Sequence, residues 1–156
     1  MDDWKKDRIG SAVRGENPMV IARMKSGFAV IGDYQHLPGY CLLLAYPQAD
    51  SLNDLSLEQR QQYLLDMTLI GDAMMAVCKP VRLNYATLMN DLHILHTHIH
   101  PRYDWEPAEY QKGPVFRYPH AVHFAEDVAY SEEKHGELKR QLAEELERRM
   151  AEAYSR

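Results

Sequence analysis

The chain has 156 residues, with 18 Lys or Arg against 23 Asp or Glu, and a formal net charge of -5 at pH 7. This length predicts a single domain with one core. The acidic balance argues against a nucleic-acid binder that neutralises phosphates, although local basic residues can still hold a small anion. Two cysteines are too few for a disulfide framework. With no signal peptide and no apolar run near the roughly 20 residues of a membrane helix, we expect a cytoplasmic protein without membrane contact.

The first part of the chain predicts a short N-terminal helix or docked arm and then a β-hairpin. Residues 2–14 begin with acids and carry scattered apolar side chains, and residues 15–18 (Gly-Glu-Asn-Pro) end the segment. Residues 28–31 and 41–44 are almost continuously apolar, which is typical of central strands. Gly, Asp and Pro-Gly between them supply the turn. We therefore expect an antiparallel hairpin.

A long helix is expected next. Ser56 can cap it, with Gln59 three residues later as the capping-box partner. Lys79-Pro80 ends it. Apolar residues at spacings of three and four predict one face packed on the sheet, formed by Tyr63, Leu64, Met67, Ile70, Met74 and Val77.

Two further strands are expected over residues 81–89 and 92–100, with a turn near Asn90. Pro101 lacks an N–H and is expected to end the second strand. Four of the eight histidines lie close together on this strand. Every second residue of a strand lies on the same face. The face opposite the histidines is mostly apolar and can meet a core. The histidine face is formed by Ile94, His96, His98 and His100.

The last third of the chain predicts an irregular segment and a helix. Residues 101–130 are rich in Pro, Tyr, Trp and Phe and are expected to lie over the domain. Ser131 can cap a helix that reaches about Tyr154. A narrow apolar stripe on this helix suits docking on one groove, in this subunit or in a partner. The stripe is Leu138, Leu142, Leu146 and Met150.

Three interpretations of the histidine row compete. A polar surface strand with incidental histidines is disfavoured by three imidazoles on one face. A metal site would take a third ligand from His36, His120 or an acid, but no HExxH, CxxC or acidic cluster accompanies the row. Nucleophilic catalysis on phosphate is favoured, because imidazole, with a free pKa of about 6.5, attacks phosphorus near neutral pH. A second imidazole, Asn90 and Arg102 would then stabilise the developing charge.

The row resembles the active-site strand of the histidine triad (HIT) family, whose motif is His-φ-His-φ-His-φ-φ with φ apolar, often followed by Pro-Arg. The apolar hairpin with Pro38-Gly39 and the helix after it resemble the family's first hairpin and long helix. The resemblance covers about residues 18–105, while residues 106–156 lie outside the common core. It implies one α+β domain over residues 1–156: a HIT-like antiparallel sheet of about five strands, a packed central helix and a C-terminal helix over about 131–154.

The resemblance also suggests a register. Anchoring the motif on Pro101-Arg102 places the three triad positions at Ile94, His96 and His98, so Ile94 replaces the first histidine and His96 is the nucleophile. A rival register takes His96, His98 and His100 as the triad, with His98 as the nucleophile. We favour His96, since the rival register puts Pro directly after the third histidine.

Further site residues follow from the resemblance. His98 is expected to contact phosphate or ribose oxygens. Tyr40 stands where a supporting histidine is usual, and its hydroxyl is a candidate replacement. The other candidate substrate-binding residues are Asp33 near the ribose, Asn84, Asn90, His100 and Arg102.

The resemblance is to bacterial HIT-type dinucleoside polyphosphate hydrolases. It implies hydrolysis or transfer at the α-phosphate of a nucleotide-type substrate through a nucleotidyl-histidine. No metal cofactor is required for this chemistry, whether a divalent cation takes part stays open, and a homodimer is expected. Because the first histidine is missing, the alternative is a nucleotide-binding protein without efficient catalysis. A histidine-based metal site is the third possibility.

Overall fold

The computed structural model describes residues 3–156 of the chain, so residue 2 of the expected N-terminal segment lies outside the described residues. The strands in that range are β1 (Val20–Met24), β2 (Gly27–Ile31), β3 (Cys41–Ala45), β4 (Arg82–Ala86) and β5 (His96–Arg102). The α-helices are α1 (Arg8–Val13), α2 (Leu57–Cys78), α3 (Ala108–Gln111), α4 (His120–His123) and α5 (Glu132–Tyr154). Short 3-10 turns occupy Asp3–Lys6, Leu52–Asp54, Val115–Arg117 and Glu126–Val128. Over residues 3–156, no helix combines the length and the apolar character that crossing a membrane requires.

The strands form one antiparallel sheet in the order β1-β2-β3-β5-β4. This confirms the predicted α+β class with five strands, and it confirms the β2–β3 hairpin. β1 is a strand that the sequence pattern did not indicate. Its pairing with β2 is irregular between Val20 and Ala22, and Arg23 is exposed within it, so no simple alternation marks it.

The central helix α2 has the predicted capping box. The Ser56 side chain accepts from the Gln59 backbone N–H, and the Gln59 side chain accepts from the Ser56 N–H. Lys79 ends the helix in a left-handed conformation with a φ of 51°. Leu64 is exposed, contrary to prediction, because it lies one residue and about 100° around the helix from Tyr63. The buried stripe contains Tyr63, Met67, Ile70 and Met74.

The C-terminal helix α5 packs on α2 and β1 of the same chain. Ser131 caps it by accepting from the Lys134 N–H. Leu142 and Leu146 are buried in the main core, and the Tyr154 hydroxyl donates to Asp66 of α2 at 2.6 Å. The predicted leucine stripe therefore meets a groove of its own subunit, so it does not favour a dimer contact.

The strands that carry the histidine row differ from their predicted bounds. β4 is shorter, because residues 87–95 form a loop in which Met89 has a φ of 49°. β5 does not end at Pro101, which pairs with Leu83 of β4. β3 ends opposite Ile99, so β5 pairs with β4 alone beyond that residue. A proline is tolerated there because one edge of the strand is open.

The two faces of β5 have different environments. Thr97 and Ile99 are fully buried toward the main core, and the Thr97 hydroxyl hydrogen bonds the Tyr63 hydroxyl of α2 at 2.8 Å. The opposite face carries His96, His98 and His100, as strand alternation predicts.

Candidate functional site

A cavity of about 290 Å³ lies over the histidine face of the sheet, and we call it the histidine cavity. Leu42 and Leu44 of β3 form part of its floor, directly opposite His98 and His96. Its volume lies near the lower end of the range for small-molecule sites. The walls that other segments contribute include Arg8, Asp33, Tyr34, Phe116, His123 and Phe124.

A backbone contact fixes the tautomer of His96. Its Nδ1 lies 2.6 Å from the carbonyl oxygen of Ile94. A carbonyl oxygen only accepts, so Nδ1 carries the proton and donates it. The other ring nitrogen, Nε2, is left with its lone pair at the cavity. The contact thus orients His96 with Nε2 free to act as a nucleophile or a base.

A tyrosine fixes the opposite tautomer of His98. The Tyr40 hydroxyl lies 2.6 Å from Nδ1 of His98. Burial raises the pKa of Tyr40, so its phenol keeps its proton. Among residues 3–156 this hydroxyl has no second hydrogen-bond partner, so its proton is satisfied by donation to Nδ1. His98 then holds its own proton on Nε2 and is a donor.

The two imidazoles are complementary. The rings of His96 and His98 are 5.0 Å apart and inclined at 72°. Burial, followed by the neighbouring His96 and His123, lowers the pKa of His98 to about 4, so it is neutral near pH 7. One ring offers a lone pair and its neighbour an N–H, and 5.0 Å is close enough for both to contact one phosphoryl group.

His100 completes a stack of rings behind this pair. It lies 4.4 Å from Tyr40 and 5.7 Å from His98, nearly parallel to both. Burial, followed by His98, His123 and Arg102, lowers its pKa to about 3. Only 2% of His100 is exposed. It lines the cavity, but its packing indicates support of the Tyr40 and His98 rings more than the predicted substrate contact.

The β2–β3 turn places Tyr40. Gln35 is buried, and its amide donates to the carbonyls of Gly32 and Tyr40 at 2.9 and 3.0 Å. Its oxygen accepts from the Gly39 N–H at 2.8 Å. Gly39 has a φ of 98°, a conformation that favours glycine. These bonds hold the turn so that the Tyr40 ring reaches His98 and His100.

Arg102, the predicted phosphate contact, has its side-chain donors engaged within the protein. Its Nε and one N–H of Nη2 donate to the Glu106 carboxylate. The other N–H of Nη2 donates to the Tyr110 carbonyl, and Nη1 donates to the Asn84 side chain and to the Gly113 carbonyl. All five N–H groups are therefore engaged, and the Arg102 side chain is only 5% exposed. The residue anchors the segment after β5 and leaves no donor for a substrate.

Two other predicted contacts lie outside the lining of the histidine cavity. Asn84 lies opposite His100 on β4, its oxygen accepts from Arg102, and it lines a neighbouring groove that His100 also lines. Asn90 is exposed in the loop over residues 87–95, outside the lining of the histidine cavity. The histidine cavity brings together His96, His98, His100 and Asp33, whereas Asn84 and Arg102 meet His100 alone, in the neighbouring groove, and Asn90 lines neither.

Asp33 lines the histidine cavity in an ion pair that the sequence did not indicate. Arg8 of α1 donates to both its carboxylate oxygens, at 3.0 and 2.5 Å. Both side chains remain about one third exposed. Of the described residues that line this cavity, Arg8 is the only Lys or Arg. Its 25-residue separation from Asp33 leaves no local sequence signal for the pair.

The segment after β5 supplies an aromatic wall. Phe116 meets His98 and His100 edge-on, and Phe124 meets Tyr34 edge-on at 5.1 Å. Both phenylalanines remain substantially exposed at the cavity. Tyr103 and Trp105, in contrast, stack on each other and are not part of the cavity lining.

The histidines do not form a ready metal site. In the part of the chain that the structure describes, no three His, Cys, Asp or Glu side chains are placed to hold a metal ion. His36, a candidate third ligand, instead lies with its Nδ1 3.4 Å from Nδ1 of His123. The geometry therefore gives no support to the metal interpretation.

The architecture is similar to that of histidine triad proteins whose structures have been solved. A histidine triad protein from Marinobacter aquaeolei VT8 is 24% identical with a TM-score of 0.69, over 83% of this chain and 88% of that one. One from Bradyrhizobium japonicum is 21% identical with a TM-score of 0.68, over 86% and 95%. A hypothetical histidine triad nucleotide-binding protein from Sulfolobus tokodaii strain7 is 14% identical with a TM-score of 0.68, over 90% and 92%.

The sequence matches no protein-family model and no curated protein. The likeness to the solved structures shows that this chain has the histidine triad fold.

Proposed function

We propose that this protein is a nucleotide hydrolase or nucleotidyl transferase that acts at the α-phosphate of a nucleotide-type substrate, such as a dinucleoside polyphosphate. His96 is the nucleophile. The observation that carries the proposal is that the two Nδ1 atoms have different partners, the Ile94 carbonyl for His96 and the Tyr40 hydroxyl for His98. From these contacts we infer a lone pair on His96 Nε2 and an N–H on His98 Nε2. The nucleotide-binding name of the Sulfolobus tokodaii neighbour supports the substrate class.

The reaction has two steps. The lone pair of His96 Nε2 forms a bond to phosphorus while the bond from phosphorus to the leaving group breaks, and the leaving group departs with that electron pair. The N–H of His98 stabilises a phosphoryl oxygen as charge develops. His96 Nδ1 keeps its proton, and the Ile94 carbonyl stabilises the cationic ring. Water or another acceptor then attacks phosphorus and loses a proton to solvent, while the bond from phosphorus to His96 Nε2 breaks and its electron pair returns to the ring.

The cavity walls fit a nucleoside beside the histidines. Exposed Phe116 and Phe124 offer aromatic faces for a base, and Leu42 and Leu44 form an apolar floor. Asp33 stays the candidate ribose contact, and its carboxylate would then accept hydrogen bonds from both Arg8 and the sugar. The proposed chemistry requires no metal ion.

Steady-state turnover tests the proposal. Wild type, His96→Ala and His93→Ala are assayed with a dinucleoside tetraphosphate and with a nucleoside 5′-phosphoramidate. His93 is an exposed histidine on the preceding loop and serves as the matched control. Activity should be retained in His93→Ala and lost in His96→Ala. Full turnover by a folded His96→Ala protein would contradict the proposal.

A binding protein without efficient catalysis is the second candidate, and one observation favours it. The charge-bearing groups near the phosphate position are already engaged, Arg102 with Glu106 and Arg8 with Asp33. Calorimetric titration with a nucleoside monophosphate, combined with the turnover assay, separates the candidates. Binding without turnover of either substrate supports the binding protein.

We also propose a cytoplasmic homodimer. The edge strand β4 exposes 40% of Tyr85, whose hydroxyl lies against Gly71 of α2. The same side of α2 exposes Leu64 and Met75. An open strand edge beside exposed apolar side chains suits self-association.

A further inference from the structure

A fourth imidazole lines the histidine cavity beyond the row on β5. His123, on α4, is one of the lining residues, and only 9% of it is exposed. Its ring lies 6.3 Å from that of His100, and it contributes to the lowered pKa values of both His98 and His100. No local pattern marks His123, because α4 has only four residues and lies outside the part of the chain that the family resemblance covers. The structure therefore adds a histidine to the site.

One edge of the His123 ring is held by a second histidine. Its Nδ1 lies 3.4 Å from Nδ1 of His36, which is in the β2–β3 turn and does not line the cavity. The Nδ1 edge therefore faces away from the cavity, and the edge that carries Nε2 faces into it. Among residues 3–156, no group hydrogen bonds this Nε2, and no buried side-chain nitrogen lacks a partner, so the atom is accessible. Burial lowers the pKa of both histidines, which are neutral near pH 7.

The four rings define a direction across the cavity. His98 is 5.0 Å from His96 on one side and 5.7 Å from His100 on the other, and His123 follows His100. A phosphoryl group between His96 and His98 therefore has His123 on its far side from His96. In an in-line displacement the leaving group departs opposite the nucleophile. The ribose oxygen is perpendicular to that axis, so the nucleoside still has access to the aromatic wall.

We infer that His123 is a catalytic residue that contacts the leaving group, with its Nε2–H donating to a phosphate oxygen of the departing chain. This inference rests on the proposed function, in which His96 attacks phosphorus. A phosphate oxygen only accepts hydrogen bonds, so it selects the arrangement in which His36 Nδ1 donates to His123 Nδ1 and His123 carries its proton on Nε2. His36 is then a positioning residue.

The contact favours departure of an anion. As the bond from His96 Nε2 to phosphorus forms, the bridging oxygen takes the electron pair of the breaking bond, and the departing phosphate chain gains negative charge. The hydrogen bond from His123 strengthens with that charge. His123 keeps its proton, and the leaving group departs as the anion.

Two substitutions of His123 separate the two edges of its ring. The side-chain amide of Gln reaches about the position of Nε2, whereas that of Asn reaches about the position of Nδ1. With a dinucleoside tetraphosphate, kcat/KM should fall about tenfold to a hundredfold in His123→Asn and be mostly retained in His123→Gln. His93→Asn, at an exposed position outside the cavity lining, should match wild type.

A second substrate shows whether the loss concerns the leaving group. The nucleoside 5′-phosphoramidate of a short alkyl amine has no phosphate in its leaving group, so its kcat/KM should be similar in His123→Asn and wild type. This retained activity also shows that the variant is folded. An equal fall with both substrates, an equal loss in His123→Gln and His123→Asn, or an unchanged tetraphosphate rate in His123→Asn overturns the inference.

His36 gives an independent variant of the same contact. His36→Phe keeps a ring against Tyr118, which lies 4.4 Å from His36, and removes the donor to His123. We expect the same fall, confined to the tetraphosphate, and its reversal in His36→Asn, which keeps a donor near Nδ1. A wild-type ratio of the two kcat/KM values in His36→Phe overturns the positioning role.

Binding separates failure of the inference from failure of the proposed function. If wild type turns over neither substrate, the proposed function fails, and calorimetric titration with the dinucleoside tetraphosphate decides the contact alone. Binding that is about tenfold weaker in His123→Asn than in His123→Gln supports the contact. Equal binding by the two variants, or no binding to wild type, overturns it.

Discussion

The Tyr40 hydroxyl donates to Nδ1 of His98 across 2.6 Å. Tyr40 comes from the residue before β3 and His98 from the middle of β5, so the contact joins two neighbouring strands. It sets the proton of His98 on Nε2, opposite to His96, whose Nδ1 donates to the Ile94 carbonyl. This difference between the two histidines favours His96 over His98 as the nucleophile.

Replacing Tyr40 with Phe removes the donor and keeps the ring stack with His100. We expect kcat to fall about tenfold to a hundredfold, as when the partner that orients a functional imidazole is removed. Nδ1 of His98 would lose its partner, at a cost of about 1–3 kcal/mol in stability. Steady-state kinetics and chemical denaturation measure both effects. Unchanged kcat in Tyr40→Phe would show that the tautomer of His98 does not matter.

Arg102 and Glu106 form a buried ion pair, with side chains 5% and 1% exposed. Burial opposes ionisation of Glu106, but hydrogen bonds from Arg102, Tyr118 and the Tyr103 N–H outweigh it and lower its pKa. We expect Glu106→Gln to lower the free energy of unfolding by about 3–5 kcal/mol, since the Arg102 charge stays buried without its counter-ion. Urea denaturation measures the loss.

Arg102→Lys distinguishes this anchoring role from the phosphate contact expected at first. Lysine cannot reproduce the five directed N–H groups, so we expect lower stability with KM little changed in the folded protein. A large rise in KM without a loss of stability would mean that Arg102 contacts the substrate.

The buried histidines make stability dependent on pH. The pKa values of His98 and His100 are lowered to about 4 and 3, against about 6.5 in an unfolded chain. Between these pKa values the unfolded state binds more protons than the folded state. The contribution of the two histidines to the free energy of unfolding is therefore fully present above about pH 6.5 and is lost as the pH drops toward 4 and 3. The groups facing them are His96, His123 and Arg102.

His100→Phe tests this dependence because it keeps an aromatic ring in the stack and removes one titration. Between pH 6.5 and 5, we expect wild type to lose more stability than the variant, by up to about 1.4 kcal/mol per pH unit. Urea denaturation at each pH measures the slopes. Parallel slopes would show that His100 does not titrate on unfolding.

The proposed dimer contact predicts a change in mass. Tyr85→Lys places a charge on the exposed edge strand, next to the apolar side of α2. Sedimentation equilibrium should give a dimer for wild type and a monomer for the variant. Lys112→Ala, on the exposed end of α3, should leave the mass unchanged. A wild-type monomer would contradict the proposal.

Elements with strong local signals could be predicted from the sequence. The capping box at Ser56 and Gln59 and the cap at Ser131 fix the starts of α2 and α5, because each depends on residues only three apart. The alternation of β5 is equally local, and it placed His96, His98 and His100 on one face. These features predicted the helix starts and the histidine row, while the fold class was predicted from the family resemblance.

Long-range contacts decided what the sequence could not show. Arg102 follows Pro101 as in the motif that the sequence resembles, yet Glu106, Asn84 and two backbone carbonyls engage every donor of its side chain. Arg8 reaches Asp33 over 25 residues, and Phe116 and Phe124 approach the histidines from beyond the common core. No periodic pattern in the sequence marks such contacts. The charged and aromatic walls of the site could therefore be identified only from the structure.

Trapping the covalent intermediate tests the central claim most directly. Wild type, His96→Ala and His98→Ala are mixed with a dinucleoside tetraphosphate labelled at the α-phosphate, and each is quenched in acid and in base. Because a phosphoramidate of histidine survives base and breaks in acid, we expect a base-stable, acid-labile label on wild type that is absent only from His96→Ala, with His98→Ala labelled more slowly. A label that persists in His96→Ala and disappears in His98→Ala would contradict the assignment of His96 as the nucleophile.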